Sequence, residues 1–134
     1  MLLTIGTLIW FARFLRRLQS SKLVISLRSM DRVLVTGGAG FIGSFTVDLL
    51  VERGYDVTTL DILELQVHQG KVPEYLNTKA KFIEGDVRDK ELLTRLVKEV
   101  GAVIHLAASV GVGQSMYQIE KYVDHNTRGT ATLL

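Results

Sequence analysis

From Arg32 onward the chain alternates between two apolar patterns. Arg32–Thr36 is a short β-branched run that closes on a glycine cluster, which predicts a buried strand. Residues 41–53 place Phe41, Ile42, Phe45, Leu49 and Leu50 at helical spacing, and Gly54 supplies a stop. Residues 56–60 read as a second strand ended by Asp61. Residues 62–79 show no clear period and contain Gly70 and Pro73, so this stretch reads as a loop with room for a short helix. Residues 81–83 make a third strand. Asp89 suits an N-cap, with Leu92, Leu93, Leu96, Val97 and Val100 marking the buried face of the helix that follows. Residues 102–106 form a fourth strand, and residues 117–134 begin another helix. This alternation predicts an α/β chain, a parallel sheet wound on both faces. About four strands are present, against about six in a complete doubly wound nucleotide fold.

Composition agrees with a packed domain: 47% of the 134 residues are hydrophobic and 22% charged, with 12 glycines against one proline. The absence of cysteine excludes disulfides and thiolate metal sites. Charge divides the chain. Arg13, Arg16, Arg17, Lys22 and Arg28 stand in the first thirty residues with no acid, whereas the remainder is mildly acidic. A nucleic-acid partner is therefore not expected of the folded part. In the leader an apolar run of about a dozen residues precedes the charges. It is shorter than the roughly 20 that a membrane span needs and ordered unlike a secretory signal. The simplest reading is that residues 1–30 are an extension outside the fold and that the domain occupies 31–134. The interleaving of Phe14, Leu15 and Leu18 with arginine also allows a basic amphipathic helix on a membrane surface.

The chemistry concentrates after the first strand, in Thr36-Gly37-Gly38-Ala39-Gly40-Phe41-Ile42-Gly43. Gly37 permits a sharp turn, Gly40 lets backbone approach a pyrophosphate, and Gly43 lets the helix pack closely. The free N–H groups at the helix start, from Phe41 and Ile42 onward, and the positive end of the helix dipole then favour phosphate. Asp61 follows Gly43 by 18 residues at the end of the next strand. There a carboxylate suits the two ribose hydroxyls of NAD and repels the added phosphate of NADP. This is the context a dinucleotide fingerprint requires. It predicts the N-terminal part of a Rossmann-type domain with NAD as cofactor.

The glycine spacing resembles the extended short-chain dehydrogenase/reductases, the branch of NAD-dependent epimerases and dehydratases of nucleotide sugars. Further segments carry the resemblance across residues 32–134. Gly85-Asp86-Val87-Arg88-Asp89 looks like the family's adenine segment; by resemblance Asp86 bonds the adenine amino group and Val87 lines its pocket. Leu106-Ala107-Ala108 looks like the small-residue end of the fourth strand, over which the dinucleotide lies. Asn126-Thr127-Arg128-Gly129-Thr130 looks like the Asn-x-x-Gly-Thr segment, implying that Asn126 helps hold the cofactor. Ala108-Ser109-Val110-Gly111-Val112-Gly113-Gln114-Ser115-Met116-Tyr117 is most similar to the dTDP-L-rhamnose 4-epimerase group, and Gln66-Val67-His68-Gln69 is compatible with it.

The resemblance implies transient oxidation at sugar C4 by bound NAD, followed by hydride return. It also implies a nucleotide-sugar substrate, a homodimer when full length, and a cytoplasmic location. Sister reactions in the family, dehydration and reduction, and a non-catalytic NAD-binding module remain alternatives. The family's Tyr-x-x-x-Lys pair lies on a helix after a fifth strand. Tyr75 with Lys79 and Tyr117 with Lys121 have that spacing but stand too early in the chain. No catalytic residue is therefore assigned, and the chain is expected to be an N-terminal piece that does not turn over. His105 is expected to be structural. His68 and His125 lack partners at ligand spacing, so no metal is expected.

Overall fold

The computed structural model describes residues 31–134. The leader and the membrane-surface reading attached to it lie outside the described residues. Four strands form one sheet: β1 (Arg32–Thr36), β2 (Asp56–Asp61), β3 (Lys81–Glu84) and β4 (Ala102–His105). Their order is β3-β2-β1-β4 and every pairing is parallel. Helix α1 (Phe41–Glu52) joins β1 to β2, the single turn α2 (Leu65–His68) lies in the loop to β3, and α3 (Lys90–Val97) joins β3 to β4. This is the first four strands of a Rossmann-type fold.

Successive side chains of a strand point to opposite faces, and β1 is apolar on both. Val33 and Val35 pack with Val57 and with Val47 of α1. Leu34 packs with Leu60 and with Leu93 and Leu96 of α3. Leu34, Leu60 and Leu93 are almost fully buried, each contributing roughly 2 kcal/mol. The two clusters fix α1 and α3 on opposite sides of the sheet.

The ends of α1 and α3 follow from particular residues. Gly54 adopts φ 86° after α1. Its N–H donates to the Val51 carbonyl, and that of Tyr55 donates to Leu50, a Schellman closure. Asp89 accepts from Leu92 N at 2.9 Å, so the expected N-cap of α3 is present.

The helical spacing of residues 41–53 is present as α1, and the structure adds which face it buries. Phe41, Ile42, Phe45 and Leu49 are exposed, whereas Gly43 and Val47 are buried. Residues 41–51 are apolar on nearly every side, so periodicity alone does not select the face; the close approach at Gly43 does. One expectation needs correction: the last helix is not continuous from residue 117. It starts earlier, as α4 (Val112–Tyr117), breaks at Gln118, and resumes as α5 (Ile119–Tyr122). It then passes through a π-helical turn (Val123–Arg128) into α6 (Gly129–Leu133). Gly129 packs so tightly that a Cβ there would lie 2.8 Å from Val87 Cγ2. A widened turn is a common device at functional sites, and hydrophobic spacing does not reveal it.

Candidate functional site

Strand order reverses between β1 and its two neighbours, and parallel α/β sheets open a crevice at the carboxyl ends of the strands at such a point. A cavity of about 260 Å³ lies there. Each strand contributes the residues just past its end: Gly37 and Gly40 after β1, Asp61 at the end of β2, Gly85 to Val87 after β3, and Leu106 to Val110 after β4.

The β1 end is a backbone cradle. Gly37 has φ 71°, and a Cβ on it would lie 2.6 Å from Ala107 N, against the end of β4. A Cβ on Gly43 would lie 2.0 Å from the Gly37 carbonyl oxygen. The close packing expected of Gly43 is therefore packing of α1 onto the turn itself. Gly38 was not singled out from the sequence, yet a Cβ there would lie 2.8 Å from the Thr59 side chain. Gly40 is the N-cap of α1 and offers no side-chain cap. The first-turn N–H groups of Phe41, Ile42 and Gly43 lack intrahelical acceptors by their position. Phe41 and Ile42 direct their side chains to the exterior, so any part they take in the site is through backbone.

Asp61 is buried, and its carboxylate is already engaged. It accepts from Ala39 N at 3.0 Å on one oxygen and from Leu63 N at 2.9 Å on the other. A carboxylate has about four lone-pair positions, so each oxygen keeps capacity toward the cavity that Asp61 lines. The same side chain thus staples the glycine turn to the end of β2, a role the fingerprint alone does not announce. Tyr75 adds a second tie: its hydroxyl donates to the Ala39 carbonyl at 2.7 Å.

The other wall joins the ends of β3 and β4. Asp86 lines the cavity, and Arg88 holds it through backbone and guanidinium. Hydrogen bonding from Arg88 keeps the Asp86 carboxyl below the usual carboxylate range, against the opposing effect of burial. Val87, Leu106, Ala107 and Ala108 all line the cavity. Asn126 does not line it. Its amide is occupied by Ser109, accepting from Ser109 N at 2.7 Å and donating to Ser109 O at 3.0 Å. The adjacent His125 pairs with the Ser109 hydroxyl at 2.7 Å and does line the cavity. Ser109 and His125 were missed as site residues. The position of Ser109 just past a strand end was a usable signal; nothing in the spacing pointed to His125.

At the mouth, Gln114 Nε2 donates to Gln66 Oε1 at 3.1 Å, and Lys121 pairs with Glu64 at 3.3 Å. The two loops read separately in the sequence meet here. Of the two early Tyr-Lys spacings, Tyr117 is almost fully exposed, Lys121 is paired with Glu64, and the Tyr75 hydroxyl donates to the Ala39 carbonyl. Among the described residues no three His, Asp or Glu gather to hold a metal, and no helix is long and apolar enough to cross a membrane.

His105 does not line the cavity; it ties three elements together. Thr130 Oγ1 donates to the Asn126 carbonyl at 2.6 Å, so it accepts from His105 Nε2, 3.1 Å away. Nδ1 then accepts from Thr36 Oγ1 at 2.7 Å. This chain of bonds fits the neutral ring, and burial pushes the His105 pKa below its ordinary 6.5. The unfolded chain therefore takes up a proton first as pH falls. The stability His105 contributes is complete above about 6.5, shrinks as pH drops from there, and is gone below the folded-state pKa. Urea midpoints are expected to be level from pH 8 to 7 and to decline below 6.5, and His105→Gln is expected to flatten that decline. An unchanged slope in the variant would refute the assignment.

The family model of GDP-mannose 4,6 dehydratase matches residues 34–134. A putative UDP-glucose 4-epimerase of Methanocaldococcus jannaschii is 43% identical over 103 residues, covering 76% of this chain and 32% of its own length. The crystal structure of Thermotoga maritima UDP-glucose 4-epimerase with UDP-glucose matches at 40% identity and TM-score 0.68, over 76% of this chain and 32% of that one. The Brucella ovis UDP-glucose 4-epimerase, solved with NAD, matches at 39% identity and TM-score 0.65, over 76% and 30%. The chain thus spans about a third of the length of these relatives.

Proposed function

This chain belongs to the GDP-mannose 4,6 dehydratase family, and from that premise we propose that residues 31–134 are the NAD-binding part of a nucleotide-sugar 4-epimerase. The observation that carries the reading is the cradle at the end of β1. Side chains are sterically barred at Gly37 and Gly43, N–H groups open at the start of α1, and a buried carboxylate, Asp61, stands at the neighbouring strand end. Those are the groups a pyrophosphate and an unphosphorylated ribose require, so the residues present fit NAD. The Brucella and Thermotoga relatives, solved with NAD and with UDP-glucose, support the choice of cofactor and of substrate class.

In this reading each wall has a task. The N–H groups of the α1 first turn bind the pyrophosphate. Asp61 accepts from the ribose hydroxyls, and Asp86 with Val87 receives the adenine. Leu106, Ala107 and Ala108 give the flat floor, and Asn126 acts through Ser109, holding that floor in place rather than touching the cofactor. Bound NAD supplies reversible hydride acceptance at sugar C4. No residue among 31–134 is assigned to move the hydroxyl proton, so this chain alone is expected to bind the cofactor without turnover. The family model is that of a dehydratase, which favours dehydration of a nucleotide sugar as the second reading; the same cofactor half serves either.

The test is titration calorimetry of the purified chain with NAD and NADP, alongside an assay with UDP-glucose. Saturable NAD binding, weaker NADP binding and no turnover are expected. Failure to bind NAD would overturn the cofactor assignment, and epimerisation by this chain would overturn the absence of catalytic residues.

A further inference from the structure

Behind the cavity a line of alternating charges runs from one wall to the other. Asp86, at the end of β3, receives three N–H groups from Arg88. The backbone N–H reaches Oδ1 at 2.8 Å, Nε–H is shared between Oδ1 at 3.0 Å and Oδ2 at 2.9 Å, and Nη2 reaches Oδ2. The other guanidinium nitrogen, Nη1, is paired with Asp124 of the π-helical turn. Asp124 also takes Arg128 at 3.1 Å. His125 and Asn126, the next two residues of that turn, are the ones that hold Ser109 at the end of β4. Arg88 thus grips the β3 wall and the turn supporting the β4 wall together.

Two features separate this from an ordinary surface ion pair. Arg88, Asp86 and Asp124 are each only about a quarter to a third exposed. The guanidinium also uses its fork in two directions, a geometry that a lysine ammonium does not reproduce. The three N–H groups make four contacts with Asp86, two on each oxygen, so of its roughly four lone-pair positions the only capacity left is where the divided Nε–H bond fills a position weakly. Asp86 lines the cavity, so that remaining capacity serves whatever occupies that end.

We infer that Arg88 is a positioning residue for adenine recognition: it fixes the Asp86 carboxylate so that a single acceptor meets the base, and it locks that wall to the π-helical turn. The inference rests on the NAD reading above. It makes base selectivity a property of Arg88, which contacts no cofactor atom itself. An adenine amino group donates to the fixed carboxylate. Hypoxanthine, with a carbonyl in that place, does not, and sets oxygen against oxygen.

The experiment compares NAD with nicotinamide hypoxanthine dinucleotide by calorimetry on the full 134-residue chain, wild type against Arg88→Gln and Arg88→Lys. The wild type is expected to prefer NAD by about tenfold, the worth of one hydrogen bond to a charged acceptor. Arg88→Gln is expected to bring the two affinities together, and Arg88→Lys to lose most of the preference while keeping the charge. A thermal melt of each variant shows whether it folds; if Arg88→Gln does not, the ratio in Arg88→Lys decides. A variant that weakens both dinucleotides equally and keeps the ratio would overturn the inference, because that is what a purely structural ion pair does. A wild type that binds NAD without base preference would overturn it as well. A wild type that binds no NAD fails the cofactor reading itself, and that result is distinct from the others.

Discussion

Gly43→Ala is expected to remove a large part of the stability of the chain and to lower its urea midpoint well below that of the wild type. The added Cβ would lie 2.0 Å from the Gly37 carbonyl oxygen, 2.8 Å from Gly38 Cα and 2.9 Å from Gly37 C. All three are backbone atoms of one tight turn, so no side chain can swing aside. Relief requires α1 to lift off the turn, which drags Val47 out of its packing with Val33, Val35 and Val57. Alanine returns about 1 kcal/mol of helix propensity. Overpacking against rigid backbone costs about 3 kcal/mol or more, and a domain of this size has only about 5–10 kcal/mol in hand. Gly40→Ala is the control: its Cβ meets only the Gly37 carbonyl oxygen, at 3.3 Å. It is expected to fold with a nearly unchanged urea midpoint and to lose NAD affinity, because the new methyl stands beside the phosphate approach. A sigmoidal urea transition in Gly43→Ala near the wild-type midpoint would refute the steric account.

That contrast shows what a glycine triad does and does not reveal in a sequence. The triad marks the turn, and the order strand, turn, helix, strand gives it meaning. Which glycine answers to a ligand and which to the fold depends on distances. The same limit explains α1. Phe41, Ile42, Phe45 and Leu49 repeat at helical spacing, yet they face outward, because the glycine contact at 43 sets the rotation of the helix about its axis. The β-strands were more legible. A strand buried on both faces must be apolar at successive positions, and Val33-Leu34-Val35 is so.

The site was legible where it depends on strand ends. Gly37, Asp61, Asp86 and Ala107 each stand just past an apolar run, and parallel topology brings such positions to one side. It was illegible where the chain departs from regular geometry. The π-helical turn puts His125 and Asn126, adjacent in sequence, on the same residue, Ser109. A regular helix separates neighbours by about 100°, so helical spacing gave no reason to pair them. Nor does an Asn-x-x-Gly-Thr segment say whether its asparagine touches a ligand or braces the residue that does. Here the amide is spent on backbone.

Replacing Asp61 is expected to produce the largest change in cofactor choice. In the proposed complex its two oxygens face the adenosine ribose hydroxyls while they also accept from Ala39 N and Leu63 N. Asp61→Asn keeps the volume and one oxygen acceptor but removes the charge. Hydrogen bonds to a charged acceptor are worth about 1.5–3 kcal/mol, so NAD affinity is expected to fall by on the order of tenfold to a hundredfold. NADP behaves oppositely. Its 2′-phosphate meets a buried anion in the wild type and a neutral amide in the variant, and a like charge at contact in a partly desolvated site is strongly unfavourable. The preference for NAD over NADP is therefore expected to collapse, with NADP binding improving in absolute terms. Asp61→Ala separates this from the stapling role. It removes the charge as well, but it leaves two N–H groups without their acceptor, at about 1–3 kcal/mol each, so its urea midpoint is expected to fall well below that of Asp61→Asn. Calorimetry with both dinucleotides reads the selectivity, and urea titration reads the stapling. If Asp61→Asn kept the wild-type preference for NAD, the carboxylate would not be the group that reads the ribose. The selectivity would then have to reside in the loop after β2, where Glu64 and Gln66 also line the cavity.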